Sequence, residues 1–148
     1  MRDDEAQQLT AAILAAGNAL VDGIHDGVAA RGFADLRPAH GFAFARLAPS
    51  GATVSELAAH LGMTRQAAGQ LVDELAAKGY VERRPHPADG RARLVVLTDR
   101  GRACTRAADQ AAAETIGTWA RTLGEDRLRA LRDDLARVAP AGRLRPTW

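Results

Sequence analysis

Apolar residues recur along this chain at two different spacings, and the change between them divides it into elements. Leu9, Ile13, Ala16, Leu20, Ile24 and Val28 fall three or four apart, which predicts one long helix with a polar far side, closed by Gly32. A second helix starts at Pro38, a residue suited to a first turn, and ends before Pro49. Leu57, Ala58 and Leu61 repeat the helical spacing in a short third helix. Thr53 offers it a capping hydroxyl, Glu56 the reciprocal carboxylate three residues on, and Gly62 the turn that ends it. Thr64 is a second cap, followed by a stripe of Ala68, Leu71, Val72 and Leu75 that stops at Gly79. There the period becomes extended: YVERR and ARLVVLT read as two strands around a tip, HPADG. Asp99 opens a long alanine-rich helix with Ala108, Ala112, Ile116, Trp119 and Leu123 on one face, ended by Gly124. A last helix presents Leu128, Leu131, Leu135 and Val138 before Pro140. The tail from Ala141 to Trp148 reads as irregular, with Leu144 and Trp148 free to dock.

This order predicts a mainly α fold with a small β wing. Helix, tight turn, helix and arginine-bearing hairpin make a winged helix-turn-helix, flanked by helices at both ends. With those residues in place, the stretch resembles the MarR family of bacterial transcription regulators. The most specific match is the wing and its exit, DGRARLVVLTDRG, where Asp89, Arg91, Leu97, Thr98 and Gly101 fall in the family's register. The close match covers roughly a third of the chain, and the flanking helices fit in pattern rather than in motif. The resemblance implies one MarR-type domain over 1–148. Within it, 38–98 form the DNA-binding lobe, and 1–32 and 99–140 are dimerisation helices that interlock with a second copy. A dimer would hold two readers about one DNA turn apart on a pseudo-palindromic operator. The alternative, a monomer whose terminal helices pack on its own reader, leaves a single reader with little affinity or selectivity.

Composition narrows the choice further. A chain of 148 residues reads as one domain. Its N-terminus is polar and charged, and no apolar run approaches the roughly 18 residues of a membrane span, so the expected location is the cytoplasm. The net charge of +2 is too small to argue for nucleic acid by itself, but its distribution does. Residues 1–30 carry one arginine against five acids, whereas residues 64–106 carry nine basic residues against five acidic ones. Positive charge therefore sits on the reader and its exit, as attraction to phosphates requires.

The candidate DNA-binding residues follow from groove shape. A helix fits the major groove, where base edges present a distinguishable code. Gln66 and Gln70, on the outer face of the second reader helix, can pair with adenine, and Arg65 reaches a phosphate or guanine. Gly69 costs up to ~1 kcal/mol against alanine inside a helix; it reads either as close approach to the groove floor or as drift on a solvated face. Ser55 and Thr64 stand at helix starts, where hydroxyl and amide donors suit phosphates or serve as plain caps. By resemblance, Arg91 enters the minor groove, with Asp89 orienting its guanidinium through a charge-assisted fork. Arg83, Arg84 and Arg93 flank the strands within reach of the backbone. Gly90 replaces a basic residue that many relatives have.

The remaining candidates concern regulation. The resemblance implies a repressor released by a small lipophilic or aromatic ligand bound between reader and dimer helices, with His40, Phe44 and Arg46 as lining residues or ordinary packing. Cys104, the lone cysteine, suggests a thiol-based redox-sensing regulator as an alternative. The family's sensing cysteine lies in the N-terminal part, however, and a buried, inert thiol is the simpler reading. The four histidines lack the spacing of a zinc site, and no phosphate loop, nucleophile elbow or paired catalytic carboxylates appear, so neither cofactor nor enzyme activity is expected. A winged helix used for protein interaction is the other alternative; it would lack the basic wing tip and polar groove residues present here.

Overall fold

A computed structural model describes residues 1–139. Six helices and one hairpin follow in the order α1 (Asp3–Ala30), α2 (Pro38–Leu47), α3 (Val54–Leu61), α4 (Arg65–Ala77), β1 (Val81–Pro85), β2 (Arg93–Leu97), α5 (Asp99–Leu123) and α6 (Glu125–Val138). The fold is mainly helical with a two-stranded wing, as the pattern predicts. The docking suggested for Leu144 and Trp148 lies outside the described residues.

Local chemistry sets the boundaries. Thr53 accepts from the Glu56 amide at 3.2 Å while Glu56 Oε2 accepts from the Thr53 amide at 2.9 Å, a reciprocal cap that starts α3. Thr64 Oγ1 accepts from the Ala67 amide and starts α4. At the other end of α4, Gly79 takes φ +80, and the Gly79 and Tyr80 amides donate back to the Ala76 and Leu75 carbonyls. That pair of bonds satisfies two orphan acceptors and turns the chain sharply into β1.

The core lies under the reader. Leu57 and Leu61 from α3, Leu71, Val72 and Leu75 from α4, and Val81, Val95 and Leu97 from the wing pack on Ala43, Phe44 and Leu47 of α2. β1 and β2 pair antiparallel with Val81 opposite Leu97 and Arg83 opposite Val95. Ala52 adds one further bridge to Val95, tying the wing to the start of α3.

The terminal helices depart from the predicted stripes. Of α1, only Val28 is buried, and Leu9 and Ile13 are each 51% exposed. On α5 the buried positions are Gly101, Cys104, Ala107 and Ala111, while Ile116 and Leu123 of the predicted face stay exposed. The reason is close helix approach. A β-carbon at Gly27 would collide with Ala111, and one at Gly23 with Thr115. Small residues make this contact, and they carry little hydrophobic signal in a sequence. Arg31 locks it, donating to Glu114 at 2.5 Å and to the Gly27 carbonyl at 2.9 Å. Helix α6 buries none of its residues.

Candidate nucleic-acid interface

Helix α4 has two faces of opposite character. Ala68, Leu71, Val72 and Leu75 are buried, which fixes the rotation of the helix. Arg65, Gln66 and Gln70 consequently face outward and are exposed, with Gly69 half-buried between them. A β-carbon at Gly69 would meet nothing within 4 Å, so packing within the chain does not require glycine there. Thr64 is committed as the cap of α4, and Ser55 is exposed in the first turn of α3.

The wing extends this surface. Arg84, Asp89, Arg91 and Arg93 are all exposed. Asp89 does not fork the Arg91 guanidinium, as the sequence reading expected. Its Oδ1 accepts from the Arg91 backbone amide at 3.0 Å, a local turn that competes successfully with the more distant side chain. The tip is closed by the His86 amide donating to the Ala92 carbonyl and the Ala92 amide to the Asp89 carbonyl. Asp89 thus shapes the tip and leaves the Arg91 side chain uncommitted.

Ion pairs sort the arginines into two groups. Arg83 donates to Asp73 of α4 at 2.6 Å, joining wing to helix across the reader, and Arg84 Nε donates to Glu82 at 2.6 Å. Among the described residues, no carboxylate lies within 4 Å of Arg65, Arg91 or Arg93. Three unpaired guanidiniums therefore flank the polar face of α4. No local pattern in the sequence joins Arg83 to Asp73, ten residues before it.

Behind the reader, a second cluster joins it to the terminal helices. Tyr80 donates to Asp35 Oδ1 at 2.6 Å and receives Arg100 at 3.1 Å, with the Arg100 guanidinium also stacked over its ring. Burial, with Asp35 adding to it, pushes the Tyr80 hydroxyl up to about 12. Glu74, in the last turns of α4, accepts from Arg37 at 2.6 Å and from Lys78 at 3.2 Å. Arg37 foremost, then Lys78 and His40, hold the Glu74 carboxyl at about 2 against the effect of its partial burial. His40 is fully buried; its Nδ1 accepts from the Arg37 amide, and its Nε2 lies 3.3 Å from Glu74 outside hydrogen-bond geometry. Burial lowers its pKa despite the carboxylate beside it.

A cavity of about 360 Å³ opens between α1, α2 and α5, walled chiefly by Leu20, Ile24, Phe42, Phe44 and Ala108. Of the three ligand candidates only Phe44 lines it. His40 sits in the reader's base against Glu74, and Arg46 donates to the Gly51 carbonyl at 3.1 Å. The resemblance implied a cleft beside α2 but not which face of α2 meets it. Cys104 borders the cavity but is 1% exposed, and burial, with Asp35 adding to it, pushes its thiol up to about 11. Little thiolate exists at neutral pH under those conditions.

The sequence profile of the MarR family matches residues 34–92. No curated protein matches in sequence. Among solved structures the chain is similar to the transcriptional repressor CouR bound to a 23-mer DNA duplex, at 28% identity and a TM-score of 0.73, over 93% of this chain and 96% of that one. It is similar to apo MarR from E. coli at 25% identity and a TM-score of 0.72, covering 89% and 97%. It shares its fold with RV1404 from Mycobacterium tuberculosis at 24% identity and a TM-score of 0.75, covering 97% and 99%. Residues 34–92 thus match the MarR family, and the chain is similar over most of its length to the DNA-bound repressor CouR and to MarR.

Proposed function

We propose that the protein is a homodimeric, sequence-specific repressor of the cytoplasm that reads a pseudo-palindromic operator and releases it when a small lipophilic ligand binds. The observation that carries this reading is the outward face of α4, where Arg65, Gln66, Gly69 and Gln70 stand beside a wing with unpaired Arg91 and Arg93. In this reading Gln66 and Gln70 read bases, Arg91 enters the minor groove, and Ser55, Thr64, Arg84 and Arg93 meet phosphates. CouR, similar over nearly its whole length, is a repressor with DNA bound, which supports the same role here.

Residues 38–98 act as the reader in this proposal, and 1–32 with 99–140 as the dimerisation helices. Leu9, Ile13 and Leu14 of α1 and Leu131, Leu135 and Val138 of α6 are between 42% and 87% exposed when taken with Met1, more apolar surface than a solvated helix pair needs. A second copy would cover it and hold two readers in step. The 360 Å³ cavity suits an effector, being lined mostly by apolar side chains next to the reader.

The test combines footprinting of DNA flanking the protein's own gene with sedimentation. Two protected half-sites one or more helical turns apart, bound by a dimer, are expected. A monomer at operator-binding concentration, or one isolated half-site, would overturn the dimeric reading.

A further inference from the structure

The tip of the wing is held together by its own side chains. His86 donates its backbone amide to the Ala92 carbonyl at 3.0 Å, which sets it opposite Ala92 at the mouth of the turn. Its ring then reaches forward, and Nδ1 accepts from the Ala88 amide at 3.1 Å, two residues on. Asp89 makes the same kind of bond to the Arg91 amide at 3.0 Å. Side chains that shape a turn in this way are ordinarily Asp, Asn, Ser or Thr. A histidine in that place adds something those residues lack, a second ring nitrogen.

That second nitrogen is unused. A ring nitrogen that accepts a hydrogen bond carries no proton, so the proton of the His86 imidazole sits on Nε2. Among the described residues the ring makes one hydrogen bond and no other, and His40 is the only histidine with a carboxylate within 4 Å. Among the same residues the only buried side-chain polar atom without a partner is His40 Nε2, so His86 Nε2 is open to water. The two nitrogens face away from each other across the ring; with Nδ1 held into the turn, the Nε2–H is turned out of it. The tip therefore carries a neutral donor in a fixed orientation, on the same turn as the exposed Arg91.

We propose that His86 is a further DNA-contacting residue of the wing: its Nε2–H donates to an acceptor beside Arg91, either a phosphate oxygen or the minor-groove edge of an A·T pair. The proposal rests on the placement of the wing in the minor groove given above. Both acceptors suit an N–H, since A·T pairs show only adenine N3 and thymine O2 in that groove, whereas guanine adds a donor. Being neutral, the His86 donor displaces no counterion, so it adds affinity without adding to the salt dependence that the arginines produce. Because the ring is already fixed by the turn, little side-chain freedom is lost on binding.

The experiment compares full-length wild type, His86→Asn and Arg91→Ala on the footprinted operator duplex over a range of salt. Asparagine keeps an acceptor for the Ala88 amide and ends short of the position of Nε2. His86→Asn should lower affinity about tenfold, roughly threefold for one neutral hydrogen bond at each of two wing tips, with the salt dependence unchanged. Its helical circular dichroism should match the wild type. Wild type and His86→Asn are then compared on two modified operators. In one, the A·T pairs under the wing carry 3-deazaadenine and 2-thiothymine, which blunt both minor-groove acceptors; in the other, the phosphates beside the wing are methylphosphonates. The advantage of wild type should vanish on the first if Nε2 donates to a base edge, and on the second if it donates to a phosphate. Unchanged affinity in His86→Asn, a loss accompanied by a shallower salt dependence, or an advantage that persists on both modified duplexes would overturn the assignment and leave His86 as a brace of the tip. If Arg91→Ala also binds like wild type, the wing does not reach DNA and the underlying reading fails instead.

Discussion

The reader and the terminal helices are built from similar amounts of alanine and leucine, yet they satisfy them differently. In α2 to β2 the large apolar side chains close on one another: Leu47, Leu57, Val72, Leu75 and Val95 are all within 1% of full burial. In α5 the buried residues are small, α1 buries only Val28 and α6 none, and large side chains are left outside, with Leu131 and Leu135 each more than 40% exposed. A unit whose big residues are covered has its stability inside itself. One that buries few and mostly small residues has its hydrophobic surface in reserve. The difference teaches where a second chain belongs in the proposed dimer without any partner being in view.

Truncation of one leucine in each region should break or uphold this contrast most sharply. Leu75→Ala removes a fully buried side chain of the reader and should cost about 2–5 kcal/mol in urea unfolding. Leu135→Ala removes a side chain 43% exposed on α6, and its effect should instead appear in the sedimentation equilibrium, with dissociation at higher protein concentration. Equal losses of unfolding free energy, with no change in association, would erase the distinction.

Within the reader the contrast is between helix and wing. Gln70→Ala should cost about 1–3 kcal/mol on the operator and little on random DNA, relaxing the preference at one base pair per half-site. Arg91→Ala should weaken binding to both duplexes by comparable factors and make the salt dependence shallower by about one charge. A salt titration on operator and scrambled duplexes measures both. Their roles are wrongly assigned if Arg91→Ala affects the operator alone.

Acid should act at the base of the reader. The His40 pKa is lowered from its ordinary 6.5, so the folded chain binds fewer protons than the unfolded one. That contribution is complete above pH 6.5 and is lost as pH falls below it. Glu74, held at about 2 against an ordinary 4.5, adds a second loss between about pH 4.5 and 2. Thermal melts should therefore show a falling Tm below pH 6.5 in wild type. A shallower fall is expected in His40→Gln, and identical slopes would remove His40 from the account.

The smallest effect is expected at Cys104. Buried, with its thiol held up at about 11, it should leave DNA binding indifferent to mild peroxide in wild type and in Cys104→Ala alike. Release of DNA by peroxide in wild type only would restore the redox alternative.

How much of this was legible in the sequence depended on distance along the chain. Caps and stops are local, so Thr53 with Glu56, Thr64 and Gly79 marked the reader's elements where the structure has them. The stripe of α4 was legible too, because its buried residues are large. On α5 the sequence pointed to Ile116 and Leu123, while the packing face is made of Gly101, Cys104, Ala107 and Ala111. Small residues buried by close helix approach give no period strong enough to see. The pairs Arg83–Asp73, Arg37–Glu74 and Tyr80–Asp35 join residues 10, 37 and 45 positions apart, and no local pattern announces them. Asp89 was placed at the wing tip but aimed at the wrong partner, since a turn amide two residues on is nearer than a side chain.

Helix α5 runs 25 residues without interruption from the root of the wing to Leu123. At its start, Thr98 donates to the Gly79 carbonyl, and a β-carbon at Gly101 would strike the Tyr80 carbonyl, so helix and wing turn as one piece. At ~1.5 Å per residue the helix is a lever about 37 Å long. A swing of roughly 5° about its far end carries the wing root by about 3 Å, close to the ~3.4 Å between successive base pairs. In the proposed dimer two such levers would move together. A tilt of a few degrees would then put one reader a full base step out of phase with the other.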